Sequence, residues 1–181
     1  MDPPQETDDK IRDKAKKIKL LLLDVDGVLT DGTIYVGAEG EALKVFNVKD
    51  GTGIKWLQRA GFKVGLLTGR DSPQVKARAA ELAIDIVVQD AKIKLPAFEK
   101  ILAENGLSAY EVAFMGDDLL DLPVLKRAGL SMAPADAEER VIRECDWICS
   151  KDGGKGAVRE ACELLLKSAG KWEEITARYE A

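Results

Sequence analysis

The run Leu20–Gly32, LLLLDVDGVLTDG, sets the terms for the rest of the chain. Its consecutive leucines are too few for a buried helix and suit a parallel strand covered on both faces. The apolar run stops at Asp24 and Asp26, with Gly27 behind them. Residues two apart on an extended strand project to the same side, so both carboxylates leave the sheet together. Like charges held this close repel unless a cation neutralises them, which suggests a metal site at the carboxyl end of the strand. Asp is also common in turns and as a helix cap, so capping accounts for either residue taken singly.

Downstream, strand and helix signals alternate. Thr33–Val36 and Ala42–Val48 flank a glycine-containing turn and predict a hairpin. Gly51 to Ala60 predicts a helix closed by Gly61, and Lys63–Leu67 a strand. Ser72-Pro73 opens a further helix, Ile84–Val88 reads as a strand, and Lys94 to Asn105 as a helix ended by Gly106. Val112–Met115 predicts a strand followed by a helix to Ala128, then Leu130–Met132 a short strand. Asp136 with Glu139 resembles a capping box, Trp147–Cys149 a last strand, and Gly156–Lys167 the last core helix. Residues 1–17 read as a tail and short helix, 18–168 as one domain, and 169–181 as a C-terminal tail. The order predicts an α/β fold, a Rossmann-like parallel sheet with right-handed crossovers and helices on both faces.

Ligands of such sheets bind at the carboxyl ends of the strands, and the unusual polar residues fall there. The first strand delivers Asp24 and Asp26, the second Thr68, Gly69 and Arg70, and the fourth Asp117, Asp118 and Asp121. Lys94 opens the helix after the third. Capping does not require a carboxylate cluster together with a threonine and a lysine.

Composition narrows the chemistry. The chain has 181 residues, 46% hydrophobic and 33% charged, which is enough for one domain with a full core. A net charge of −5 argues against a nucleic-acid partner. The apolar runs are far short of the roughly 20 residues of a membrane span. The acidic start MDPPQETDDK lacks a signal-peptide core, so a cytoplasmic location is expected. The absence of histidine excludes Ser-His-Asp and Cys-His catalysis. Cys145, Cys149 and Cys162 read as reduced thiols, since a zinc site begun by Cys145 and Cys149 would lack its second pair.

Clustered carboxylates suit a hard, oxygen-seeking ion, foremost Mg²⁺, and a lysine and hydroxyl beside it suit a phosphate. On this reading Asp24 is a nucleophile that forms an aspartyl-phosphate, and Asp26 the acid and base. Thr68 and backbone N–H groups near Gly69 bond the phosphoryl oxygens, Lys94 offsets charge, and Asp117 completes the metal shell.

DVDGVLTDG, Thr68, Lys94 and GDDLLD, in that order, resemble the motifs of the haloacid dehalogenase superfamily of phosphatases. The resemblance implies Mg²⁺ held by Asp24, the Asp26 carbonyl and Asp117, with Asp118 and Asp121 in support. The stretch Asp31 to Asp50 holds only a hairpin flap (about 32–48), and Asp71 to Lys94 one helix and one strand, so no cap domain fits. That implies the uncapped subclass, whose sites take an exposed phosphate or borrow a lid from another subunit. From about Lys17 to Lys167, including GGKGAVRE, the chain is similar to the 3-deoxy-D-manno-octulosonate 8-phosphate phosphatases.

This similarity implies hydrolysis of an eight-carbon sugar-acid phosphate for lipopolysaccharide synthesis, in a homotetramer whose hairpins pack together and whose neighbours close each site. It implies substrate contacts at Asp26, Asn47, Val48, Lys49, Asp50, Gly51, Lys55, Gly69, Arg70, Arg78 and Lys94. Arg70 and Arg78 suit a carboxylate, although a helical Arg78 sits about two turns from the site. Lys55 and Arg78 also fit a solvated helix face, and Lys44 and Lys49 protection of the hairpin edge. The sequence departs from the pattern at Asp90, where the family usually has glycine, and at Lys155, where it often has arginine. Lys92 rivals Lys94 as the phosphate lysine. The alternatives are a sibling phosphatase for a nine-carbon sialic-type 9-phosphate, a non-catalytic phospho-receiver domain, and an inactive tetrameric interaction protein. A receiver has no need of Asp26.

Overall fold

The computed structural model describes residues 5–179, with side chains from residue 9 onward. In chain order the elements begin with α1 (Gln5–Ala15), β1 (Leu20–Leu23) and the antiparallel hairpin of β2 (Tyr35–Gly37) and β3 (Gly40–Leu43). They continue with α2 (Val48–Arg59), β4 (Lys63–Leu67), α3 (Pro73–Leu82), β5 (Ile86–Val88), α4 (Lys94–Asn105) and β6 (Val112–Met115). The chain ends with α5 (Leu122–Leu125), β7 (Leu130–Ala133), α6 (Glu139–Glu144), β8 (Trp147–Ile148), α7 (Ala157–Ser168) and α8 (Trp172–Thr176). The polar start and the last two residues, read as tail, lie outside the described residues.

Six strands form one sheet in the order β5-β4-β1-β6-β7-β8. Every neighbouring pair in it is parallel. All the leucines of β1 are fully buried, and they alternate between two cores. Leu21 and Leu23 join Ile54 and Leu57 of α2 and Val158 and Leu165 of α7. Leu20 and Leu22 join Phe98 and Ile101 of α4, Leu125 of α5 and Val141 of α6. Burial on both faces is why the run carries no polar alternation. Truncating any of these leucines to alanine would cost about 2–5 kcal/mol.

Several expected boundaries move, each for a local reason. Ile84 closes α3 through its N–H to Ala79 (2.9 Å), so β5 begins later than Ile84. Asn47 caps α2 by accepting from the Lys49 N–H at 2.8 Å, which starts that helix earlier than Gly51. The expected helix to Ala128 shortens to a 3-10 turn at Leu119–Asp121 and the brief α5. The capping box at Asp136 does not form. Glu138 caps α6, and Asp136 accepts from the Gly153 N–H at 2.9 Å. Ile11 and Ala15 of α1 and Trp172 and Ile175 of α8 pack on the first core, so both terminal helices are docked. Among the described residues only the hairpin and short crossovers occupy the positions where a cap domain would be inserted.

Candidate active site

The position of β1 in the sheet assembles the site. Leu23 pairs with Leu66 of β4 on one side and Met115 of β6 on the other. The residues just beyond, Asp24, Thr68 and Asp117, therefore emerge from three adjacent strands at one edge. The Asp24 N–H donates to the Met115 carbonyl (3.0 Å), and its carboxylate accepts from the Val25 N–H (2.7 Å). The other Asp24 oxygen lies 2.7 Å from the Lys94 ammonium.

Lys94 is buried at the start of α4 and also donates to Asp121 at 2.5 Å. Asp121 is fully buried, and its second oxygen accepts from the backbone N–H of Asp117 (3.0 Å) and of Asp118 (3.3 Å). It thus fastens the Asp117 loop to Lys94. Asp118 is exposed and caps the 3-10 turn through the Leu119 N–H (2.7 Å). Gly27, at φ +84°, is required here because a Cβ would run into the Asp117 carboxylate.

One ammonium serves three carboxylates. Oxygens of Asp24, Asp117 and Asp121 lie within 4.8 Å of one another, and Asp117 Oδ1 is buried without a hydrogen-bond partner. Burial, reinforced by Asp121, pushes the Asp24 carboxyl up to about 7. Burial with Asp24 and Asp121 pushes Asp117 up to about 8. Against the cost of its own burial, Asp24 and Asp121 hold Lys94 charged above the ordinary lysine range. An all-oxygen cluster with an orphaned acceptor fits a small hard divalent cation such as Mg²⁺. Asp117 has an oxygen free to offer it, whereas Asp24, like Asp121, is engaged by Lys94 and a backbone N–H and would share an oxygen with the ion. The cluster lies in a hollow of about 440 Å³ lined also by Asp26, Thr68, Gly69, Arg70 and Lys92. A hollow of about 450 Å³ around Phe62, Lys63 and Asn105, at the amino-terminal edge of the sheet, has no comparable cluster.

Asp26 points away from this trio toward the hairpin. One of its oxygens is paired with the Lys44 ammonium, and the other lies 3.6 Å from Arg70 Nε. Arg70 also reaches Glu41 of β3 at 2.8 Å. Lys44, expected to guard the hairpin edge against pairing, is instead turned inward with its side chain 2% exposed. Neither Glu41 nor the inward Lys44 was legible from residue types alone, because the face each presents depends on how the hairpin docks.

The sequence profile of the haloacid dehalogenase-like hydrolases matches residues 38–129. The chain belongs to this family. The hydrolase is 47% identical over 161 residues to the 3-deoxy-D-manno-octulosonate 8-phosphate phosphatase KdsC of Escherichia coli K12, covering 89% of this chain and 86% of that one. It is 42% identical to the same phosphatase of Yersinia pestis, covering 93% and 90% of the two chains. Among solved structures it superposes, with a TM-score of 0.92 and 38% identity, on the Moraxella catarrhalis 3-deoxy-D-manno-octulosonate 8-phosphate phosphatase. That match covers 94% of this chain and 98% of the other, which was solved in complex with magnesium, phosphate and KDO.

The remaining expected contacts of the hydrolase lie elsewhere on the chain. Val48, Gly51, Lys55 and Arg78 line a separate hollow of about 310 Å³ that shares no residue with the one around Asp24. Arg78 pairs with Glu81 at 2.8 Å and lies over the Phe46 ring. Asn47 donates to the Gly154 carbonyl (3.2 Å), and Lys49 is exposed. Asp50 is buried against α7, where it accepts from the Arg159 N–H at 2.8 Å.

Asp90, the expected departure in the loop before Lys94, adopts φ +56°, so the turn holds a left-handed residue that is not glycine. Lys92 beside it is exposed, with its ammonium on the Gly69 carbonyl (2.8 Å) and Asp90 (3.0 Å), and it is Lys94 that meets Asp24. Trp56 is buried in the first core, with Trp147 and Trp172 packed against it. Lys155 pairs with Asp152 at 3.1 Å, and the three cysteines are free thiols.

Proposed function

We propose that this hydrolase is an Mg²⁺-dependent phosphatase that releases phosphate from 3-deoxy-D-manno-octulosonate 8-phosphate for lipopolysaccharide synthesis. The observation that carries this reading is the convergence of Asp24, Thr68, Lys94 and Asp117 on one sheet edge. The chain bearing it is 47% identical to an 8-phosphate phosphatase.

In this mechanism an Asp24 oxygen attacks phosphorus as the bond to the sugar oxygen breaks, giving an aspartyl-phosphate. Asp26 gives its proton to the departing oxygen and then takes one from the water that attacks phosphorus and restores Asp24. Thr68 and the backbone N–H groups at Gly69 bond the phosphoryl oxygens, and Lys94 balances their charge. Asp24, the Asp26 carbonyl and Asp117 would hold Mg²⁺, supported by Asp118 and Asp121. When bound, the ion relieves the repulsion between phosphate and carboxylates.

Arg70, whose guanidinium faces the hollow beside Asp26, suits the carboxylate of a sugar acid. Asp50, buried against α7 and held by the Arg159 N–H, is a structural residue and not the substrate contact expected, while Asn47, Val48, Lys49, Gly51, Lys55 and Arg78 stand apart from Asp24 in their own chain. Their contribution therefore belongs to a homotetramer in which neighbours complete one another's sites. Free cysteines suit a cytoplasmic setting.

The test is phosphate release from 3-deoxy-D-manno-octulosonate 8-phosphate, with Mg²⁺ and with chelator, by wild type and Asp24→Asn. Chelation is expected to abolish turnover, and Asp24→Asn to lower kcat by about 10⁴-fold or more. Unchanged activity of Asp24→Asn would refute the nucleophile. Equal rates on unrelated sugar phosphates would refute the substrate, and faster release from a nine-carbon 9-phosphate would move it to the sialic-type acids. A lasting aspartyl-phosphate without phosphate release would point to a receiver.

A further inference from the structure

Lys44 rises from an exposed hairpin, yet its ammonium is sunk beside the catalytic hollow with the side chain 2% exposed. Burying an ammonium is costly unless carboxylates compensate it, and two do. One is Asp26; the other is Glu41, at 3.1 Å. Glu41 is itself braced by Arg70 at 2.8 Å and by the Ser72 hydroxyl at 3.0 Å. Gln74 donates to the carbonyls of Glu41 (3.3 Å) and Ala42 (3.4 Å). The root of β3 is thus fastened to the turn and helix that follow β4, and Lys44 leaves it in a fixed direction.

The two oxygens of Asp26 are therefore unlike. Oδ1 is held by Lys44, whereas Oδ2 faces Arg70 at 3.6 Å, beyond hydrogen-bond reach. We propose that Lys44 is a positioning residue for Asp26. Its ammonium fixes Oδ1, so that Oδ2 carries the proton before turnover, with Glu41 then balancing Lys44, and passes it to the departing oxygen as the phosphorus–oxygen bond breaks and the Asp24–phosphorus bond forms, which leaves Asp26 as the carboxylate. Lys44 keeps its own protons throughout, and Glu41 holds it in place. This rests on the reading of Asp26 as the acid.

A series of substituted phenyl phosphates tests it, because a phenolate leaves without help when its phenol is acidic and needs a proton when it is not. The readout is the dependence of kcat/KM on leaving-group acidity for wild type, Lys44→Met, Lys44→Arg and Asp26→Asn, with folding checked by circular dichroism. Asp26→Asn is expected to steepen that dependence, Lys44→Met to steepen it likewise, and Lys44→Arg to restore it toward wild type. For Lys44→Met, kcat/KM on phenyl phosphate should fall about tenfold more than on p-nitrophenyl phosphate.

A Lys44→Met loss equal across the series would overturn the proposal and mark Lys44 as a structural or phosphate-binding residue. If Asp26→Asn shows no steepening, the reading of Asp26 fails first, and the proposal with it. Should Lys44→Met not fold, Glu41→Gln takes its place. Loosening Lys44 should then steepen the dependence to a smaller degree, and an unchanged slope would overturn the proposal.

Discussion

Asp117 carries a carboxyl pushed up to about 8 by burial and its carboxylate neighbours, and Asp24 one pushed up to about 7. Without a cation the folded chain binds protons here that the unfolded chain, near 3.8, has already released. The cluster's contribution to stability is then complete below about pH 4 and drains away as the pH rises through about 7 and 8. A divalent ion favours the charged carboxylates and reverses that loss. The rise in Tm on adding Mg²⁺ to chelator-treated protein should therefore be small at pH 5 and larger at pH 8; equal rises would disprove the charge balance. Asp24, Thr68, Lys94 and Asp117 were legible in the sequence because each follows a strand whose end is marked by its own residues. Glu41 and Lys44 were not, since a hairpin's charges declare a side only once it has docked.

Among the elements, the turn between β5 and α4 shows how a fold tolerates a substitution that its motif discourages. Asp90 holds the left-handed conformation with its N–H on the Arg70 carbonyl at 3.4 Å, and the neighbouring Ala91 N–H bonds Thr68 O at 3.0 Å. A short polar side chain tolerates this region, whereas a β-branched one does not. Asp90→Val should cost about 1–2 kcal/mol in urea unfolding, with Asp90→Gly near neutral because its freedom in the unfolded chain offsets its ease in the turn. The pairing of α2 with α7 rests partly on Asp50, whose carboxylate receives the Arg159 N–H. Asp50→Ala strands that donor and should cost about 1–3 kcal/mol by the same measurement. Strand and helix types were readable from apolar patterning. Their ends were less so, because caps such as Asn47 and Glu138 win by local hydrogen bonds that residue type alone does not rank.

At the scale of the molecule, the parallel sheet and its two cores were the most legible feature, since alternating strands and helices leave few other topologies. What a single chain does not announce is which of its surfaces meets another copy. The hairpin exposes Val36 at 75%, the segment leading into α2 exposes Val45 at 57%, and α2 opens on Val48, exposed at 78%. Apolar surface gathered in this way is suited to another copy of the chain. Light scattering should give a tetramer for wild type and smaller species for Val36→Asp, with a parallel fall in phosphatase activity. A wild-type monomer at micromolar concentration would contradict that assembly.

The central place of β1 has a consequence for how the molecule comes into being. Its leucines are made early, but both of its sheet partners, Lys63–Leu67 and Val112–Met115, are made much later. On the ribosome this strand stays unpaired and strongly apolar until β4 has emerged, and paired on one side only until β6 has. The groups around Asp24 meet only when the long loops on either side have closed, a slow step for distant pairings. Chains that stop short of β6 therefore carry an apolar strand and an incomplete site, because Asp117 and Asp121 follow that strand.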